Sequence, residues 1–118
     1  DPGLDRAKTV NNWINYAVKF IEGGGTWAAL ESVGIDRDRF EAGMSELVKI
    51  CGDRLDQLPW ALHTLTLGYG LLSDAQASEF AKRLIASLDA GLGVDADDRL
   101  WADTMRADAE DVIGGQDA

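Results

Sequence analysis

The stretch Leu58 to Leu72, reading Leu-Pro-Trp-Ala-Leu-His-Thr-Leu-Thr-Leu-Gly-Tyr-Gly-Leu-Leu, carries no formal charge in a chain whose side chains are 27% charged. Wound at 3.6 residues per turn, Leu58, Leu62, Leu65, Tyr69 and Leu72 fall on one stripe, and Trp60, Leu67 and Leu71 on the opposite side. An element apolar on both sides has to be covered on both sides, so the other segments are expected to pack around it. A strand competes over Leu65 to Leu71, where Leu65, Leu67, Tyr69 and Leu71 alternate with Thr66, Gly68 and Gly70. No other stretch offers it a pairing partner, and a lone buried strand would strand its backbone donors and acceptors. The expectation is therefore an all-α, compact bundle of five or six helices around a central apolar helix, residues 59–72.

The flanking segments fit that frame. Leu4, Ala7, Val10, Trp13, Ile14, Ala17, Val18, Phe20 and Ile21 keep the three-and-four spacing of an amphipathic helix that follows a loop at Asp1-Pro2-Gly3 and ends at Gly23-Gly24-Gly25. Thr26 is placed to cap a short helix, Trp27 to Val33, closed by Gly34. Asp36 or Asp38, the latter with Glu41 three residues on, opens the next, whose inner side is Phe40, Met44, Leu47, Val48 and Cys51. Asp53 to Gln57 reads as a polar connector with Leu55 turned inward. Ser73 with Gln76 forms the clearest capping box and precedes a helix lined by Ala77, Phe80, Ala81, Leu84, Ile85 and Leu88, closed at Gly91 or Gly93. Asp95 with Asp98 opens the last helix, with Trp101, Met105, Ala109 and Val112 inward, Leu100 and Ile113 beside them, and a frayed tail from Gly114-Gly115. All four tryptophans, Trp13, Trp27, Trp60 and Trp101, read as core anchors. Any one found exposed becomes a candidate contact residue.

The 118 residues are enough for one self-sufficient domain, residues 1–118, with short flexible ends at about 1–3 and 114–118. Cys51 is the one cysteine, which rules out an intrachain disulfide or a multi-cysteine zinc site and fits a reducing, cytoplasmic setting. The chain opens without an initiating Met, which leaves a trimmed or processed start, including a removed signal peptide, open. No apolar run reaches the ~18 residues of a membrane span.

Charge narrows the function classes. The net charge of -10 opposes attraction to nucleic acid phosphates or to an anionic membrane and favours a protein with a basic surface. The excess is concentrated: residues 89–118 hold 9 acidic and 2 basic side chains, against 12 and 9 in residues 1–88. The leading expectation is thus a small acidic, non-enzymatic interaction module, of the inhibitor, immunity or nucleic-acid-mimicking kind, that meets a basic partner through Asp97, Asp103, Glu110 and Asp111. A solubility role is the plainer account of the same acids. A homodimer through an apolar helix stripe also stays open.

Three other constellations need weighing. Thr26 to Leu47, with the turn Val33-Gly34-Ile35-Asp36, has the order of a helix-turn-helix, in which Arg37 and Arg39 would reach base edges. Asp36, Asp38, Glu41 and Glu46 on the same helix oppose that. His63, the sole histidine, would need a nearby carboxylate for general-base work, and its helical neighbours Pro59, Trp60, Thr66 and Leu67 supply none. Asp89, Asp95, Asp97 and Asp98 suggest calcium, but a loop counted from Asp95 puts Arg99, Leu100 and Arg106 where a ligand, a glycine and a glutamate belong. No metal, no cofactor and no catalytic residue is therefore assigned.

Overall fold

Six α-helices and no strand make up the described residues of the computed structural model, which are 1–92 and 96–117 without the side chains of Asp97 and Asp117. The helices are α1 (Pro2–Glu22), α2 (Trp27–Ser32), α3 (Arg37–Cys51), α4 (Pro59–Leu71), α5 (Gln76–Asp89) and α6 (Ala96–Asp117), with a 3-10 segment, Gly52–Gln57, before α4. The fold is an all-α bundle, and the uncharged stretch is helical. Its contacts fall into two units, Asp1–Gly52 and Asp53–Ala118.

In the first unit, α1 packs on α3. The buried residues of α1 are Ala7, Val10, Ile14, Ala17 and Val18, and those of α3 are Phe40, Gly43, Met44, Leu47 and Cys51, both as their periodicity demands. Local chemistry sets the ends. Asp1 accepts a hydrogen bond from the Gly3 N–H and Pro2 occupies the first turn, so the loop expected at Asp1-Pro2-Gly3 is instead the start of α1. Thr26 Oγ1 accepts from the Ala29 N–H at 3.1 Å. Asp36 Oδ1 accepts from the Arg39 N–H at 2.8 Å, which selects Asp36 over Asp38 as the cap of α3. Between these helices Gly34 adopts φ 89°; its N–H and that of Ile35 return to the carbonyls of Glu31 and Leu30, a Schellman closure that a side-chain-bearing residue resists.

In the second unit, α4 packs against α5 and α6, and α5 against α6. Ala61, Leu62, Leu65 and Tyr69 of α4 are buried, and the Tyr69 ring stacks on Phe80 of α5 with centroids 5.5 Å apart. Of the buried hydroxyls in this layer, Thr66 Oγ1 donates one turn back to the Leu62 carbonyl and Ser87 Oγ to the Asp56 carbonyl. Leu55 is buried in the 3-10 segment, as the connector pattern implied.

Three expectations fail here, each for a stated reason. Ser73 is not the cap of α5. It is held at φ 54° by the end of α4, where its N–H and that of Asp74 bond the carbonyls of Gly70 and Tyr69; the side chain of Asp74 then takes the Gln76 N–H. The last helix does not fray at Gly114-Gly115 but continues to Asp117. Gln116 anchors it to the start of α5, accepting the Ser78 N–H and donating to the Asp74 carbonyl, both at 2.9 Å. Trp101 is 56% exposed, while Trp13, Trp27 and Trp60 are half-buried, so none of the four is a fully enclosed anchor. Asp95, expected to open α6, lies outside the described residues.

Candidate functional site

Helix α6 is amphipathic with an acidic outer side. Met105 and Ala109 are buried and fix which side faces inward. Positions three, four and seven apart share a side, so Leu100, Asp103, Thr104, Ala107, Glu110, Asp111 and Gly114 make up one outward face. All are exposed.

Of the residues expected to meet a basic partner, Asp103, Glu110 and Asp111 stand together on that face. The Asp97 side chain lies outside the described residues. Among the described residues no Lys or Arg pairs with Asp103, Glu110 or Asp111, nor with exposed Asp53 and Glu79, whereas three other carboxylates of this unit are engaged: Asp89 binds Arg106, Asp56 binds Arg83 and Asp108 binds His63. Asp98, at the first turn of α6, is buried and held within the fold, so it adds nothing to the outer face. Three of the acids left without a cation stand together on the outside of the helix.

Two apolar side chains adjoin them. Leu100 is 72% exposed and Trp101 56%. Leaving both in water forfeits roughly 25 cal/mol for each Å² a partner would cover. Periodicity alone puts Trp101 inward, in line with Met105, Ala109 and Val112, and Leu100 beside that stripe, and both expectations fail. The buried side centres instead on Met105 and Ala109, and Trp101 falls at its edge.

His63 acquires a carboxylate that its own helix lacks. Its Nε2 lies 2.7 Å from Oδ2 of Asp108 on α6, the two side chains being 22% and 35% exposed. The pair ties α4 to α6 through a half-covered hydrogen bond, and an Asp so placed fixes the orientation of the ring. The 45-residue separation leaves no local sequence signal for it. No group of three or more His, Cys, Asp or Glu side chains among the described residues is arranged to hold a metal ion.

The helix-turn-helix candidates sit in the first unit. Arg37 and Arg39 are exposed at the start of α3, with the Arg37 guanidinium 5.2 Å from the Trp27 ring centroid and that of Arg39 5.8 Å from the Trp13 ring. Both cations are thereby laid over indole faces of their own unit. Trp13, Val33, Gly34, Ile35 and Arg39 line a surface depression of about 420 Å³ beside the turn.

No protein-family model, curated protein or solved structure matches this chain.

Proposed function

We propose that the protein is a small acidic interaction module that binds a partner with a basic surface and performs no chemistry of its own. The observation that carries this reading is the face of α6, where Asp103, Glu110 and Asp111 are exposed and, among the described residues, pair with no cation, beside exposed Leu100 and Trp101. Carboxylates that stabilise the fold are engaged within it, Asp56 and Asp89 by cations and Asp36 by a backbone N–H. Unmatched ones attract cations from outside, steer encounter and set partner choice. The adjoining apolar area supplies what charge pairing in water does not, since exposed ion pairs contribute little on their own.

The test is capture from a native cell extract at low salt, comparing the parent protein with the triple variant Asp103→Asn, Glu110→Gln, Asp111→Asn. A bound protein that the parent retains, that raised salt releases and that the triple variant fails to retain supports the reading. Retention indifferent to both salt and the substitutions refutes it.

A further inference from the structure

Resting on that reading, we infer that the partner meets α6 with an amphipathic basic helix, whose apolar seam is flanked on both sides by Lys or Arg. Leu100, Ala107 and Gly114 recur every seven residues, so they form a single row along the exposed side of α6, about 21 Å long at 1.5 Å rise per residue. The row narrows from a 72% exposed leucine to an alanine to a glycine, which lets a second helix lie close along its length. Acids border it on both sides: Asp103 and Glu110 along one, Asp111 beside Thr104 along the other. An apolar seam between two charged margins is how helices recognise helices, and the sign of the margins dictates the opposite sign in the partner. Trp101 flanks the row on the Thr104 side and is exposed to a ligand seated there.

Other occupants fit worse. A second copy of this chain on the same face would set Asp103, Glu110 and Asp111 against their own counterparts across a twofold axis. Anionic lipid and nucleic acid meet the same repulsion. An added strand finds no strand edge among the described residues. A disordered polybasic segment satisfies the carboxylates but leaves Leu100 and Trp101 in water.

The experiment uses the intact protein and three probes at low salt: a Leu/Lys peptide patterned as a basic amphipathic helix, a scrambled peptide of the same composition, and poly-lysine. The patterned peptide is expected to bind at least about tenfold more tightly than its scramble, the scale of burying one leucine-sized side chain. It should shift the tryptophan emission in the parent but much less in Trp101→Phe. It should also lose about tenfold in affinity for Leu100→Ala and most of its salt dependence for the Asp103→Asn, Glu110→Gln, Asp111→Asn variant, with circular dichroism verifying that each variant is folded. Equal binding of all three probes overturns the helical partner while leaving the basic-partner reading intact. Tight binding of the patterned peptide that Leu100→Ala and the triple variant leave unchanged places it elsewhere and also overturns the inference. Failure of every basic probe to bind removes both readings together.

Discussion

Nε2 of His63 and Oδ2 of Asp108, 45 residues apart in sequence, lie 2.7 Å from each other and join the uncharged helix α4 to the acidic helix α6. The contact is half-covered, so its worth lies between that of a buried bond and an exposed pair. A double-mutant cycle with His63→Ala and Asp108→Ala is expected to give a coupling of roughly 0.5–1.5 kcal/mol in urea unfolding. Additive single effects would show that the pair contributes nothing to holding the helices together.

Ser73 adopts φ 54° where α1, α2 and α5 have glycine at the equivalent closing position. A left-handed conformation costs a side-chain-bearing residue about 1–2 kcal/mol, and glycine's added freedom in the unfolded chain returns about half of that. Ser73→Gly should therefore raise stability by roughly 0.5–1 kcal/mol, read as a higher urea midpoint at unchanged slope. A lower midpoint would mean that the serine side chain makes a compensating contact.

Local rules were legible to the extent that a helix end depends on its own neighbours. Thr26 caps α2 because the first-turn N–H it serves is three residues away, and the apolar spacing of α1, α3 and α5 found their buried sides directly. Ser73 and Gln76 match the same local template, yet the end of the preceding helix had already claimed Ser73. Gln116 gave no warning of its role, because its partners, Ser78 and Asp74, are brought to it only by the packing of α5 on α6. The candidate site divides the same way. Asp103, Glu110 and Asp111 were found by counting charge, whereas the exposure of Trp101 and the pairing of Asp108 required the fold.

Gly43 lies where α1 meets α3, and a Cβ there would come within 2.4 Å of the Trp13 ring. Alanine is the better helix former by about 1 kcal/mol, but the indole, which also carries the Arg39 guanidinium over it, has to be displaced. Gly43→Ala is expected to destabilise by roughly 1–3 kcal/mol and to alter the tryptophan emission of the folded state. Stabilisation instead would show that the indole swings away at little cost.

Arg37 and Arg39 provide a direct contrast with the acidic face. Each already lies over an indole of its own unit, and Asp36 and Asp38 stand next to them in the chain, so a DNA-reading role would require them to leave those rings and overcome local repulsion of phosphate. A gel-shift assay with genomic fragments is expected to show no sequence-selective binding. Selective binding that Arg37→Ala with Arg39→Ala abolishes would reverse the assignment of the functional face.

The acids of α6 separate folding from binding most cleanly. Asp103, Glu110 and Asp111 are exposed and, among the described residues, pair with no cation. Removing their charge therefore breaks no internal contact; it relieves repulsion between Asp111 and Asp108, three residues apart, and gives up only weak attraction to Arg99 and Arg106 at helical spacing. The triple variant Asp103→Asn, Glu110→Gln, Asp111→Asn should unfold within about 0.5 kcal/mol of the parent or slightly above it. If the variant is instead markedly less stable, these carboxylates have been holding the protein together, and their availability to a partner is lost as an argument.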